Sequence, residues 1–201
     1  VSFMRKSRTM DETAEEWTRM NLALRNSIDR LSPTREQPFV HAADQDALKA
    51  AMRQMSGGVS VITAGVGDER TGATVTSATA LSVDPPTMIV SINRSSSSWP
   101  VISRYRHFCV NILSAEQQDV ADRFAGKGGL KGIERYDGAE WFTLASGASV
   151  LRGALAGIDC EVDEVIERHS HAIILGRVVS IVAGDGHSLV YSNGRYGRFS
   201  L

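Results

Sequence analysis

The spacing of apolar residues changes once along the chain, and that change decides the fold class. Up to Gly57 and Gly58, Ala47, Leu48, Ala51, Met52 and Met55 recur at intervals of three and four. That spacing predicts a helix, which the two glycines would end with a left-handed cap. Beyond them the period falls to two. "VSVITA", "ATVTSATA", "TMIVSIN" and "FCVNIL" are short and β-branched, and glycine, proline, aspartate or serine separates them. "ALAGIDCEVDEVIE" and "HAIILGRVVSIVAG" repeat the pattern around a turn. Strands so spaced predict an α+β, mainly β class built on an antiparallel barrel, not a parallel sheet.

Two helical stretches interrupt the strands. "SSSSWPVISRY" offers a serine cap with Pro100 in the first turn, and "SAEQQDVADRFAG" runs from Ser114 to a terminating glycine with Val120 and Phe124 inward. Nearer the start, Trp17, Met20, Leu24, Ile28 and Leu31 form one amphipathic stripe behind a capping-box pair, Thr9 and Glu12. "SPTREQP" follows as a linker. Residues 1–38 are therefore expected to be a helical arm and linker that packs on the body or on a second subunit. Residues 39–201 are expected to form one domain.

A net charge of −1 gives no broad attraction for a nucleic acid or an anionic membrane, and neither partner is expected. No apolar run approaches the roughly 20 residues that span a bilayer. "VSFMRKSRTMDETAEEW" lacks the apolar segment of a secretory signal, so the expected location is cytoplasmic. Cys109 and Cys160 each lie in an apolar alternating run without a CxxC partner, and both read as buried thiols.

Motifs for side-chain catalysis are missing: there is no GxSxG, HExxH or P-loop, and "GVGDERTG" joins two strands instead of opening a helix. Chemistry must come from a cofactor or be absent. His169 and His171, two apart, would share one face of a strand with Glu167. Two histidines do not make a metal site, and none is expected; contact with an anionic or aromatic ligand stays open. Thr74, Thr76, Ser77 and Thr79 supply hydroxyl groups without net charge. That suits a planar heteroaromatic ring such as an isoalloxazine, which needs hydrogen bonds along one edge, an apolar wall and an open face. In "SINRSSSSW", Asn93, Arg94 and four serines could hold a ribityl chain and phosphate. The same residues could equally be fillers of strand and turn positions, and their chemistry alone leaves both readings open.

Taken in order, "MSGGVSVITAG", "GATVTSATALSVDPPTMIVSINRSSSSWPVI", "FCVNIL", "ADRFAG", "ERYDGAEW", "GASVLRGALAGIDCEV" and "HAIILGRV" resemble the flavin reductase family, with its split-barrel flavin-binding fold. The resemblance covers about residues 47–201. It implies a homodimeric NAD(P)H-dependent flavin oxidoreductase that binds FMN or FAD noncovalently. The hydride would pass from C4 of the nicotinamide of NADH or NADPH to N5 of the flavin, with no catalytic side chain. The family's flavin-contacting strand falls on Thr74, Val75, Thr76, Ser77, Ala78 and Thr79. Its ribityl and phosphate region falls on Ser91, Asn93, Arg94, Ser95, Ser96, Ser97 and Ser98. A Gly-Asp-His motif on the nicotinamide side falls on His169, Ser170 and His171, of which only the last is kept. Tyr196 matches an aromatic near the nicotinamide. The implied acceptor is free flavin for a monooxygenase partner. Alternatives are a retained flavin that reduces a cobalt corrinoid in cobalamin synthesis, and a noncatalytic flavin-binding electron carrier.

Overall fold

The computed structural model describes Arg19 and residues 44–199. Of the predicted N-terminal helix of Trp17 to Leu31 only Arg19 is described, in helical conformation; the apolar positions of the stripe lie outside the described residues. The chain divides into two units, Val1–Gln45 and Asp46–Leu201, and every described strand belongs to the second. Helix α1 spans Gln45–Met52, and strands β1 (Gly57–Gly58), β2 (Ser60–Ala64), β3 (Thr71–Val75), β4 (Thr79–Val83) and β5 (Pro86–Asn93) follow. Helix α2 (Ser98–Tyr105), strand β6 (His107–Ile112) and helix α3 (Gln118–Phe124) come next. The chain continues through β7 (Trp141–Thr143), β8 (Ser149–Leu151), β9 (Ala156–Arg168), β10 (His171–Ala183), β11 (Ser188–Ser192) and β12 (Arg195–Phe199).

Seven strands form one antiparallel sheet in the order β3-β2-β6-β9-β10-β5-β4. Its two edges, β3 and β4, are consecutive in sequence and joined only by Thr76–Ala78. A flat seven-stranded sheet would hold its edges about 29 Å apart, at about 4.8 Å per strand. The four Cα steps from Val75 to Thr79 reach at most about 15 Å. The sheet therefore curls until its edges nearly meet, without a hydrogen-bonded pair to close it. The result is a barrel split between β3 and β4.

Strand β2 shows why the sequence curls there. All five of its residues are buried, and alternate ones serve two cores. Ile62 and Ala64 join Val90, Ile92, Phe108, Val110 and Ile174 inside the curl. Val61 joins Val59, Leu113, Phe124 and Leu189 on the outside. A second sheet, β1-β11-β12, is stitched to the first by Val59 N–H donating to Leu189 O (2.9 Å) and Leu189 N–H donating to Leu113 O (3.1 Å). Helix α3 covers the outer core with Val120 and Phe124, as expected, and a capping box of Ser114 and Gln117 starts the turn before it.

Three expectations change. Helix α1 stops at Met52, and Gly57 and Gly58 do not cap it; they form β1, paired with Tyr191 and Val190. "ATVTSATA" is not one strand, because the chain must cross from one sheet edge to the other and breaks at Thr76–Ala78. The last hairpin, β11–β12, was not expected as strands. Its Asn193-Gly194 turn has φ of +48° and +79°, the type I′ geometry that favours this dipeptide. Among the described residues no helix is long and apolar enough to cross a membrane.

Both cysteines are buried and free, as read. They sit on neighbouring strands but face different clusters, Cys160 inside the curl and Cys109 beneath β8. Burial, with the Asp159 carboxylate nearby, pushes the Cys160 thiol up to about 12. The folded thiol thus keeps its proton where an unfolded one, near 9, would lose it. Stability from this group is full below about 9 and declines as pH rises from there towards 12. Alkylation at pH 8 is accordingly expected only as fast as unfolding, measured by mass spectrometry across a urea series; rapid labelling of native protein would contradict it.

Candidate functional site

The split of the barrel is where the predicted ring-binding residues lie. Thr76 and Ser77 are exposed in the loop that joins the edges. They line a cleft of about 600 Å³. The opposite wall belongs to α1 and the residues after it, with Lys49, Met52, Arg53 and Met55; Tyr191, Asn193 and Gly194 of the last hairpin close a third side. Among the described residues that line the cleft none is an aspartate or glutamate. A Cβ added at Gly57 would stand 3.1 Å from Thr76 Cβ, so β1 needs glycine there to let the loop approach.

The walls are braced by backbone. Asn193 N–H donates to Arg53 O (2.9 Å), and the hydroxyls of Ser56 and Ser192 are 3.0 Å apart. On the other side of the loop, Ser77 Oγ donates to Ser91 O at 3.2 Å. The loop thus touches β1 through Thr76 and β5 through Ser77. Its neighbours divide in role. Thr74 Oγ1 donates to Ala121 O (2.6 Å), which ties β3 to α3 and takes this hydroxyl away from the cleft. Val75 and Ala78 are half-buried against the inner core, and Thr79 is exposed at the start of β4, paired with Ile89.

The serine turn follows β5 directly. Asn93 Oδ1 accepts from both the N–H (2.9 Å) and the hydroxyl (2.8 Å) of Ser95, which fixes a tight turn. The hydroxyls of Ser96 and Ser98 pair at 2.9 Å, and Ser98 is buried at the first position of α2. Ser97, the residue before the helix, makes no side-chain cap bond and instead lies 3.5 Å from Thr71 Oγ1. Arg94 turns away from this array. Its guanidinium pairs with Glu167 (2.6 Å) and donates to His169 O (3.2 Å), while its N–H donates to Ser170 O (2.9 Å). Arg94 therefore fastens the serine turn to the β9–β10 hairpin.

That hairpin corrects the expectation for the histidines. His169 has φ +51° and occupies the turn, so it does not share a strand face with His171. Glu167, the third donor of that arrangement, is spent on Arg94. Among the described residues no group of three or more histidine, cysteine, aspartate or glutamate side chains could hold a metal. His171 opens β10, exposed, with Nδ1 2.9 Å from Ser170 Oγ. It pairs across the sheet with Asn93, the residue that shapes the serine turn. Loop, turn and hairpin thus form one continuous arc.

Tyr196 stands apart. It packs against the outer core and edge-on to Tyr191, ring centroids 5.1 Å apart, and burial raises its phenol above the usual range. The cleft-lining aromatic is Tyr191, opposite it on the hairpin. Sequence reasoning missed Tyr191, as it missed Lys49 and Arg53. Reading Asn193-Gly194 as a two-residue hairpin turn would have placed Tyr191 and Tyr196 as a facing pair.

A curled antiparallel sheet whose split carries an acid-free, hydroxyl-edged cleft beside a serine turn defines a flavin-binding split-barrel protein. The chain belongs to the family described as "Flavin reductase like domain", whose model matches residues 52–200. It is 30% identical over 162 residues to the FMN reductase (NADH) RutF of Serratia proteamaculans, across 80% of this chain and 90% of that one. Among solved structures, the NADH:FAD oxidoreductase SgcE6 of Streptomyces globisporus, in complex with NAD and FAD fragments, superposes with a TM-score of 0.72 at 27% identity. The superposition covers 81% of this chain and 97% of that one. BorF, the flavin reductase component of a bacterial two-component tryptophan halogenase, superposes with a TM-score of 0.71 at 29% identity, over 77% and 98% of the two chains.

Proposed function

We propose that this protein oxidises NADH or NADPH to reduce FMN or FAD, and releases the reduced flavin to a separate monooxygenase-type partner. The observation that carries this reading is the cleft at the split. Its donor set fits an isoalloxazine: hydroxyls of Thr76 and Ser77 on one edge, Met52, Met55 and Tyr191 as apolar surface, and, among the described residues, no carboxylate to oppose the negative charge that the ring would gain on reduction. A bound flavin would supply the hydride acceptor, so the chain needs no nucleophile or general acid of its own. Its own task is to hold two rings in line and keep them there. Thr76 and Ser77 orient the flavin ring, the turn of Asn93 and Ser95 to Ser97 offers donors to the phosphate, and His171 meets the nucleotide. Release of flavin is supported by relatives described as the flavin reductase component of a two-component tryptophan halogenase and as a homologue of a nitrilotriacetate monooxygenase component.

Anaerobic stopped-flow with NADH, monitored at the flavin band, tests the reading against three acceptors: free flavin, a corrinoid and a ferric chelate. Rapid reduction of free flavin with multiple turnovers is expected. Preference for the corrinoid by a flavin that never leaves would overturn it, as would failure of NADH to bleach bound flavin.

Three hydroxyl substitutions separate binding from folding. Thr76→Val and Ser77→Val should each weaken flavin binding by roughly 5- to 150-fold, the equivalent of about 1 to 3 kcal/mol for a stranded polar edge. Thr74→Val should leave flavin affinity alone and cost about 1 kcal/mol of stability through the lost bond to Ala121. Fluorescence titration and urea melts distinguish the two; weaker flavin binding in Thr74→Val at unchanged stability would return that hydroxyl to the cleft.

The assembly proposed is a homodimer. Leu48, Met52, Met55, Leu81 and Val83 are 54–86% exposed, more apolar surface than a lone subunit usually presents on these elements. Sedimentation should give twice the chain mass of 21.8 kDa. A monomer at micromolar concentration with intact activity would refute it.

A further inference from the structure

The cleft carries two cations that ring binding does not use. Lys49 and Arg53 are four residues apart, and Arg53 N–H donates to Lys49 O at 3.1 Å, so the helical path continues through them and both project from one face. Both line the cleft, and among the described residues the others that line it are neutral. The Lys49 ammonium touches Asp46 at 3.1 Å, but that pair is 66% and 92% exposed, a contact that gives way at little cost. The Arg53 side chain is exposed, and its rigid part is the backbone, fixed to Asn193.

Their position sets them on the side of the cleft away from the serine turn that would hold the flavin's own monophosphate. Ser77 contacts β5, and the serine turn lies at the end of that strand, whereas Thr76 contacts Gly57 of β1, the side on which α1 stands. A ring held by the loop would send its ribityl phosphate towards β5 and leave the two cations beside the opposite edge. What remains for them is the anionic part of the second substrate.

We infer that Lys49 and Arg53 grip a nucleoside diphosphate, the diphosphate of the pyridine dinucleotide, and so set the affinity for the hydride donor. The inference rests on the reading of the cleft as the flavin site. A guanidinium with no carboxylate among the cleft's lining residues is suited to a bidentate phosphate contact, and an ammonium one helical turn away adds a second point charge. The diphosphate of FAD has the same chemistry, and the test separates the two sources.

The parent protein, Arg53→Glu, Lys49→Glu and Arg53→Lys are compared with FMN as acceptor, at several ionic strengths. ADP-ribose binding is followed by calorimetry, and FMN and FAD binding by flavin fluorescence. Arg53→Glu should raise KM for NADH about tenfold or more, weaken ADP-ribose by a like factor, and leave kcat and FMN affinity within about twofold. Lys49→Glu should do the same to a smaller degree. Arg53→Lys should keep most of the parent's affinity and its dependence on salt. Unchanged KM and ADP-ribose affinity in Arg53→Glu would overturn the inference. So would a loss confined to FAD, with NADH and ADP-ribose unaffected, because the grip would then hold the flavin's diphosphate. Absence of flavin reduction in the parent would overturn the functional reading, while the ADP-ribose titrations would still decide the grip.

Discussion

Replacing His171 with alanine is expected to lower the rate of flavin reduction by NADH by up to about 100-fold while leaving fold and flavin affinity intact. His171 is exposed at the first position of β10, so its ring contributes little to the core. Its Nδ1 is held at 2.9 Å from Ser170 Oγ, and its strand partner Asn93 anchors the serine turn. The imidazole is thus fixed at the rim of the arc, where a small change in nucleotide alignment has a large kinetic effect. Single-turnover reduction at varied NADH and NADPH gives the answer directly. A parent rate at every concentration would remove His171 from the nucleotide site, and a chelator that abolished activity in the parent would reopen the histidines as metal ligands.

The strands legible in the sequence were those whose alternation is driven by two packed faces or one. β2 and β10 fall within the runs where period two was read, and β5, β6 and β9 each exceed theirs by one residue at one end. What escaped were elements made by their neighbours. β1 is two glycines whose strand character exists only because Tyr191 and Val190 lie opposite, and β7 and β8 are three residues each. The break at Thr76–Ala78 was invisible for a related reason. Threonine and serine favour strands locally, and only the closing of a seven-stranded sheet forces the chain to leave one edge for the other.

The candidate site was legible as chemistry and less so as geometry. Uncharged hydroxyls without a catalytic motif pointed to a ring, and Thr76 and Ser77 do line the cleft. Thr74, of the same residue type two positions earlier, still lies within β3, where its hydroxyl reaches Ala121 of α3, whereas Thr76 lies past the end of that strand in the loop. Arg94 offered a positive charge beside four serines, and nothing local announces that Glu167, some seventy residues later, takes it. Lys49 and Arg53 stand between the apolar positions read for α1 and are exposed; the cleft beside them depends on a hairpin near the other end of the chain.

Asn111→Ala is expected to be among the most destabilising single changes in the molecule, with a loss of about 3 to 5 kcal/mol and a melting temperature lower by roughly 6 to 20 °C. Asn111 is fully buried in β6. Its Nδ2 donates to Val61 O (3.2 Å), Thr63 Oγ1 (3.2 Å) and Ser149 O (3.4 Å), and its Oδ1 accepts from Leu151 N–H at 2.7 Å. One amide thereby joins β2, β6 and β8, and Thr63 Oγ1 closes the circuit to Ser149 O at 2.5 Å. Alanine leaves the buried Leu151 N–H without its acceptor, weakens the carbonyls around it and opens a small void. Each such loss costs about 1 to 3 kcal/mol, against a whole-domain stability of about 5 to 15. Thr63→Val, which removes one hydroxyl and keeps the amide, should cost less than half as much. Urea unfolding of both variants measures the difference. A shift below about 1 kcal/mol in Asn111→Ala, with an unchanged denaturant slope, would mean that water or a rearranged β8 replaces the amide. The outer face of β2 would then be held by apolar packing alone.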